Sequence, residues 1–327
     1  IKAVQIASRL SEKGVGIVVK DILTYQTIGQ ISKHAKISFK DQHYEQGVVE
    51  GARKATPIEQ WFFSRQLQNP HYFNQSVLLK LQRKVDRRLL ERSFDLLIAH
   101  HDGLRLNYDW HGQNLYYNNN HLNERFDIQE LSFDELPQFK ATFRLEEGLL
   151  LKAALLRQIK EEETYLFITA HHLLVDGISW RIFLEDLHSC YNALESGHSP
   201  QLPRKTASLM DWKKALDEYQ NAADWQQEKS FWEEVKTANC ELPQDMETTD
   251  WRVAQAANIS ASLDADATAY LLKEAHKAYK TDVPILLNTA LLMALHKWTD
   301  QRQFIIEQEN QGRHLDHLHT SRTLGWF

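Results

Sequence analysis

Two adjacent histidines, His171 and His172, close an apolar stretch, and Asp176 and Gly177 follow shortly after them. Imidazole changes its charge near neutral pH, so these residue types suit a reaction in which a proton moves. Successive side chains of a strand point to opposite faces. The spacing therefore predicts that one histidine faces a site and the other faces the packed interior.

The residues after the histidines predict a turn into an amphipathic helix. Asp176 stands where an N-cap would, and Gly177 permits a tight turn or the close approach of a ligand. An imidazole beside a helix N-terminus favours chemistry in which negative charge develops. The apolar stripe of this helix is predicted to be Trp180, Phe183, Leu184, Leu187 and Tyr191.

Two other interpretations of the histidine pair stay open at this point. Adjacent histidines are often ordinary packing residues. They could also bind a metal ion with Asp176 as a third ligand, but consecutive strand residues diverge and neither an HExxH motif nor a cysteine lies nearby. The residues therefore predict no metal site.

Composition limits the class of protein. The chain has 327 residues, 43% of them hydrophobic and 25% charged, with a formal net charge of −6, which disfavours nucleic acid and anionic membranes as partners. It contains no long apolar run that could span a bilayer and no signal peptide. Two cysteines are too few for a disulfide framework, so a cytoplasmic location is predicted.

Strands and helices alternate without regular βαβ spacing, which predicts a mixed α/β sandwich. Neither GxGxxG nor a P-loop is present, so a Rossmann fold is disfavoured. Strands are predicted near 74–81, 104–108, 115–117, 149–157, 165–171 and 304–308. Helices are predicted near 86–100, 208–219, 224–236, 264–280 and 284–298, and a further one begins at Thr56-Pro57, with Glu59 completing a capping box.

Four segments resemble the epimerization subtype of the condensation superfamily of nonribosomal peptide synthetases. They are HHLLVDGISW (171–180), TPIEQWFF (56–63), HHDGLR (100–105) and RTLGWF (322–327). A fifth, Glu309 to Arg313, resembles that subtype's EGHGR, with Asn310 and Gln311 where the family has Gly and His. The resemblance covers about residues 54–327. It implies a chloramphenicol-acetyltransferase-like fold of two lobes, about 56–235 and 236–327, the second of which looks incomplete.

The start of the chain resembles the back half of a peptidyl carrier domain. Residues 1–36 are interpreted as helices only and 37–55 as a polar linker. Both ends of the chain look cut. The resemblance implies that the serine carrying 4′-phosphopantetheine would stand just before Ile1, outside this sequence. It also implies an upstream adenylation domain and, as a further partner, the condensation domain of the next module.

By this resemblance, the reaction inverts the α-carbon of an aminoacyl or peptidyl thioester held on the carrier. His172 and Glu309 match the family's catalytic histidine and glutamate, and neither a metal nor pyridoxal phosphate is required. His171 and Asp176 are assigned to the scaffold, with Arg105 as the expected partner of the Asp176 carboxylate. Gly177 would admit the pantetheine arm, and Trp180 would distinguish epimerization from condensation.

Two alternatives remain from the sequence. One is a condensation or other acyltransferase domain that uses the same histidine motif. The other is a non-catalytic module that only docks a carrier domain. Trp180 and the RTLGWF ending disfavour the first, and the presence of both His172 and Glu309 disfavours the second.

Overall fold

The chain divides into two compact units, one formed by Ile1–Gln220 with Asn310–Phe327 and the other by Asn221–Glu309. The structure is a computed structural model, and the residues it describes are 6, 10, 15–17, 21, 22, 25, 27–37, 44–158, 163–237, 242–246, 255–313, 315 and 318–327. Of the helix expected to open at Ile1, only Ile6 and Leu10 are described, and both are helical.

The larger unit is a mixed α/β structure, as the alternation of patterns predicts. Its strands are β1 (Val15–Gly16), β2 (Lys36–Ile37), β3 (Ala52–Arg53), β4 (Asn74–Lys80), β5 (Leu106–Asp109), β6 (Asn114–Tyr117), β7 (Ile128–Leu131), β8 (Leu151–Gln158) and β9 (Glu163–His171). Its α-helices are α1 (Ile28–His34), α2 (Pro57–Ser64), α3 (Arg87–His100), α4 (Leu136–Lys140), α5 (Gly177–Glu195) and α6 (Leu209–Gln220).

One four-stranded sheet positions the histidine pair. Its strand order is β4-β9-β8-β7, antiparallel except for the parallel pair of β7 and β8. The central strand β9 is covered on both faces, because every residue from Leu166 to His171 is buried. This explains its continuous apolar sequence, which differs from the alternation of a strand with one face in water. A second sheet has the order β3-β6-β5.

Helices α3 and α5 pack together in the core. Asp86 caps α3 by accepting from the backbone N–H groups of Arg88 and Leu89. The apolar stripe predicted for α5 is confirmed, with four of its members buried and Leu184 partly buried against the same core. Because α5 begins directly after the histidines, its burial fixes the direction in which the chain leaves β9.

Helix α2 begins at a buried ion pair. Glu59 accepts from the backbone N–H of Thr56 at 2.7 Å, as the predicted capping box requires. The same carboxylate holds the Arg53 guanidinium through two bonds of 2.6 and 2.7 Å, with both side chains almost fully removed from solvent. A charge in such surroundings is stable only when paired.

The structure differs from the sequence-based interpretation of residues 37–55 as a linker. Ala52–Arg53 forms β3 and pairs with β6, and the backbone N–H of Val49 donates to Asp102 at 3.0 Å. The polar composition of this segment is misleading, because its Arg53 side chain binds the buried Glu59 carboxylate. The expectation of helices alone in residues 1–36 is also wrong, since β1 pairs with β2.

The smaller unit is helical in its described part. It contains α7 (Ala223–Thr237), α8 (Ala265–Tyr270), a π-helical turn (Leu271–Ala275), α9 (His276–Ala278) and α10 (Val283–Thr299). The strand expected at 304–308 is absent, because no described strand pairs with it. The unit begins at Asn221 and ends at Glu309, so it starts before the lobe boundary expected near residue 235. Residues 310–327, which were expected in the second lobe, belong to the larger unit.

Among the described residues, no helix has both the length and the apolar composition that crossing a membrane requires.

Replacing Glu59 by Ala should lower the free energy of unfolding by about 3–5 kcal/mol, because it leaves the Arg53 guanidinium buried without its counterion. Urea denaturation of the variant and the parent measures the difference. Arg87→Ala is the matched control, since it breaks an ion pair whose arginine is 41% exposed and should cost less than about 1 kcal/mol. Equal losses in the two variants would contradict the assignment of the buried pair.

Candidate active site

His171 is part of the packed interior. It is the last residue of β9 and is fully buried. Its Nε2 donates to the carbonyl of Pro70 at 2.9 Å, and its Nδ1 accepts from the backbone N–H of Leu173 at 3.2 Å. Burial lowers the pKa of His171 to about 4. A neutral ring with both nitrogens bonded in this way suits a scaffold and leaves no nitrogen for a substrate.

His172 lies just past the strand, at the start of a 3₁₀ turn formed by His172–Leu174. Its backbone N–H donates to the carbonyl of Phe73 at 2.8 Å. Its ring lies against two aromatic rings, with centroids 4.1 Å from Trp326 and 5.4 Å from Phe73. The two adjacent histidines therefore have different surroundings, as expected, although His172 lies past the strand and strand alternation does not apply to it.

The outer nitrogen of His172 has a polar neighbour. Its Nε2 lies 2.7 Å from the side-chain nitrogen of Gln75 on β4. The Gln75 side-chain oxygen accepts from the indole N–H of Trp180 at 2.9 Å. Trp180 is thus connected to His172 through one amide. Gln75 was missed from the sequence, because the pattern of β4 does not show that its side chain faces α5.

Asp176 caps α5 and forms an ion pair. It accepts from the backbone N–H of Ser179 at 2.7 Å, and the Arg313 guanidinium donates to both of its oxygens at 2.8 and 2.9 Å. The expected N-cap is therefore present. The expected partner is wrong, because Asp176 binds Arg313 and not Arg105.

Arg105 belongs to a different network. Its buried guanidinium binds the Asp102 carboxylate, which also accepts from the Lys205 ammonium at 2.8 Å. Arg105 donates in addition to the Asn119 side chain at 2.9 Å and to the backbone carbonyls at the end of α3. Asp102, three residues before it in the same 3₁₀ turn, is the nearer carboxylate and satisfies its charge.

Arg313 binds the last segment of the chain to α5. It donates to the carbonyls of Thr320 and Thr323 at 3.1 and 2.8 Å, and its guanidinium carbon lies 3.9 Å from the centre of the Phe327 ring. The Ser179 hydroxyl accepts from Arg313 at 3.0 Å and donates to the carbonyl of Gly325 at 2.9 Å. These bonds hold the neighbouring residue, Trp326, against the His172 ring.

Gly312 permits this approach. Its φ is +66°, and a Cβ there would lie 2.4 Å from the carbonyl carbon of Phe327. Any other residue would force the two segments apart. The role of Arg313 could have been inferred from its place in the Glu309–Arg313 segment. The HHDGLR resemblance favoured Arg105 instead.

Arg322 makes a second connection between this segment and α5. Its guanidinium binds Asp186, which also contacts His101 Nε2 at 2.8 Å. Burial lowers the pKa of His101, although Asp186 opposes the effect. His101 is therefore a core histidine, as its place beside the apolar face of α3 indicates.

The remaining predicted site residues are exposed. Gly177 is the first residue of α5, and a Cβ added there would meet no heavy atom within 4 Å, so the space beside it is open. Glu309 is exposed and lies at the end of the smaller unit. Its pairing with His172 stays a prediction. Within the described residues, no group of three or more His, Cys, Asp or Glu side chains could hold a metal ion.

Comparison with known proteins gives matches along the whole chain. The family model described as Condensation domain matches residues 49–327. Tyrocidine synthase 1 of Brevibacillus parabrevis is 34% identical, and gramicidin S synthase 1 of Brevibacillus brevis is 35% identical, each over 100% of this chain and 31% of that protein. Surfactin synthase subunit 1 of Bacillus subtilis (strain 168) is 33% identical over 100% of this chain and 10% of that protein. The chain thus spans less than a third of these relatives.

Two solved structures illustrate the fold. The epimerization domain from the third module of tyrocidine synthetase B superposes with a TM-score of 0.79 at 32% identity, covering 87% of this chain and 68% of that one. The first condensation domain of the calcium-dependent antibiotic synthetase superposes with a TM-score of 0.63 at 18% identity, covering 84% and 67%. The second likeness shows a shared fold only.

A double-mutant cycle should couple Asp176 to Arg313 and not to Arg105. Each alanine variant should lower the free energy of unfolding by about 3 kcal/mol, because it leaves a partly or fully buried charge unpaired. The Asp176/Arg313 cycle should give a coupling energy of about 1–3 kcal/mol, and the Asp176/Arg105 cycle less than about 0.5 kcal/mol. Denaturant unfolding measures both, and additivity in the first cycle would refute the pairing.

Acid should destabilise the fold partly through His171. The folded-state pKa of about 4 lies below the unfolded value of about 6.5, so the unfolded chain takes up the proton first and stability falls as pH decreases between these values. His171→Gln should remove about 2 kcal/mol of the stability lost between pH 7 and pH 5. Denaturation at several pH values measures this. The exposed His198→Gln is the control, and an unchanged acid loss in His171→Gln would contradict the prediction.

Proposed function

Because this chain belongs to the Condensation domain family of nonribosomal peptide synthetases, we propose that it inverts the α-carbon of an aminoacyl or peptidyl thioester. The thioester is held on the 4′-phosphopantetheine arm of a carrier domain, and the product is a D-residue for peptide assembly. The partners that go with this role are the carrier domain, an upstream adenylation domain and the condensation domain of the next module.

One observation carries the choice of inversion over amide-bond formation. Trp180 and Trp326 belong to the two segments in which the chain resembles the epimerization subtype, and both contact the surroundings of His172. Trp326 packs on the imidazole ring, and Trp180 reaches it through Gln75. The likeness to the epimerization domain of tyrocidine synthetase B, at 32% identity, supports the same choice.

The chemistry needs two groups on opposite sides of one carbon. A base removes the α-proton, the electron pair of that C–H bond moves into the thioester carbonyl, and an acid delivers a proton to the other face. Sulfur donates weakly into the carbonyl, so a thioester α-proton is more acidic than that of an amide. Positioned acid and base groups each contribute rate factors of about 10²–10⁴.

His172 and Glu309 are the two groups in this proposal. His172 presents an imidazole whose ring is held by aromatic neighbours. Glu309 belongs to the smaller unit, and it is included only because residues 309–313 resemble the family's motif. In one direction of the reaction one of them acts as the base and the other as the acid, and the roles exchange in the reverse direction.

The thioester would approach beside the start of α5. A Cβ added at Gly177 would meet no heavy atom within 4 Å, so open space lies beside this residue. The dipole of α5 would favour the negative charge developing on the carbonyl oxygen, although Asp176 already accepts from the N–H of Ser179 at this end. Pantetheine is the tether of the substrate in this proposal, and its attachment serine belongs to the carrier domain.

His172→Ala and Glu309→Gln should each lower the rate of inversion at least about 100-fold, since each removes one of the two proton-transferring groups. The assay supplies a carrier loaded with an L-aminoacyl thioester to the longest natural polypeptide that contains this sequence. Chirality of the released amino acid and deuterium uptake from D₂O are followed together.

His188→Ala and Glu307→Gln are the matched controls, because both side chains are exposed and neither belongs to the proposed site. Parental rates of deuterium uptake and inversion in both His172→Ala and Glu309→Gln would refute the assignment. Amide formation with a second loaded carrier, in place of inversion, would support a condensation domain. Carrier binding without either reaction would support a docking module.

A further inference from the structure

Gln75 lies between the proposed catalytic histidine and a core tryptophan. It is on β4, where it pairs with Ala170 of β9, and the neighbouring residue Asn74 pairs with His171. Its side-chain oxygen lies 2.9 Å from the Trp180 indole nitrogen, and its side-chain nitrogen lies 2.7 Å from His172 Nε2. Both distances are those of hydrogen bonds.

The chemistry of the three groups fixes which atom donates. An indole nitrogen only donates, so the Gln75 oxygen must face Trp180. The amide NH₂ group then faces His172 and can only donate. His172 Nε2 must therefore accept, which places its lone pair on Nε2 and the ring proton on Nδ1. The direction of the chain is Trp180 to Gln75 to His172.

The start of this chain of bonds is rigid. Trp180 is only 7% exposed, and it stands in the first turn of α5, the helix capped by Asp176. The amide cannot rotate by half a turn without placing its NH₂ group against the indole N–H. The orientation of Gln75 is thus set by the core.

We infer that Gln75 is a positioning residue that selects the tautomer of His172, with the lone pair on Nε2, and that Trp180 selects the orientation of Gln75. This inference rests on the proposed role of His172. Phe73 and Trp326 restrain the plane of the ring, whereas stacking does not distinguish the two ring nitrogens. The amide supplies that distinction.

The same contact destabilises the protonated form of His172. Once Nε2 carries a proton, its N–H meets the N–H of Gln75, and the hydrogen bond between them is lost. The protonated ring is therefore less stable beside Gln75 than the neutral ring. Nε2 can take the α-proton only after the Gln75 N–H has left its lone pair, so the substrate must displace this contact when it binds.

The test reads the tautomer directly. Nitrogen-15 spectra of histidine-labelled protein distinguish a protonated from an unprotonated ring nitrogen, and His172→Gln identifies the His172 signals among the 16 histidines. The parent should carry its proton on Nδ1. In Gln75→Glu, one carboxylate oxygen still accepts from Trp180 and the other accepts from His172, so the proton should appear on Nε2.

Two further variants extend the test. Gln75→Leu removes the donor at similar size, and Trp180→Phe removes the group that orients the amide, so each should give a mixture of tautomers. Ser76→Ala is the control, because Ser76 follows Gln75 on the same strand and bonds Thr169 and not His172. It should keep the parental tautomer and rate. Inversion should fall about tenfold or more in both Gln75 variants.

The outcomes separate the two proposals. Parental nitrogen-15 signals in folded Gln75→Glu and Gln75→Leu would overturn the role of Gln75, even if His172→Ala abolished inversion. The expected tautomer changes in a parent protein that does not invert thioesters would overturn the proposed function and leave the control of the tautomer intact. A changed tautomer with a parental rate of inversion would support the control of the tautomer by Gln75 and would overturn its expected effect on the rate.

Discussion

The ion pair of Asp176 and Arg313 is the interaction on which the candidate site depends. One carboxylate both caps α5 and receives two bonds from a guanidinium 137 positions later in the chain. The guanidinium in turn holds the carbonyls and the aromatic ring of the last segment. Because that segment carries Trp326, this pair helps to hold the aromatic wall beside His172, together with the bond from Arg322 to Asp186.

The two histidines show how neighbouring residues acquire different chemistry. The end of a strand directs His171 into the interior, where both nitrogens are bonded and burial favours the neutral ring by lowering its pKa. His172, one residue later, is only half-buried and meets a polar amide. The end of the strand separates the two residues, because His171 is the last residue of β9 and His172 begins the 3₁₀ turn. A sequence motif that names both residues does not reveal this difference.

Much of the fold was predictable from patterns of local origin. Helix α5 has a clear apolar stripe and an Asp cap, and strands β4, β5, β6, β8 and β9 lie close to their expected positions. Strand β7 was not predicted, because its short sequence Ile-Gln-Glu-Leu shows no clear pattern. The mixed α/β class followed from their alternation. The linker was mispredicted because Arg53 looks like a surface residue until its ion pair with Glu59 is known, and because the sequence does not show that the backbone of Val49 binds Asp102.

The site was predictable in its residues and less so in its contacts. His171, Asp176 and Trp180 stand where the local pattern places them, as a buried ring, a cap and a core indole. The partner of Asp176 was mispredicted because a choice between two arginines depends on tertiary approach, which neither segment encodes alone. Gln75 was missed for the same reason, since its role arises from a strand register and a helix packing together.

The larger unit is discontinuous in sequence, because Asn310–Phe327 completes it after the smaller unit has intervened. Its sheet and α5 therefore leave the ribosome well before the segment that finishes the site. At about 5–20 residues per second, the 137 positions from Asp176 to Arg313 take roughly 7–27 s to synthesise. During that interval the surface that later receives Trp326 and Phe327 stands uncovered in the nascent chain. Chaperone contact and misassembly during translation are thus expected to concentrate on this surface.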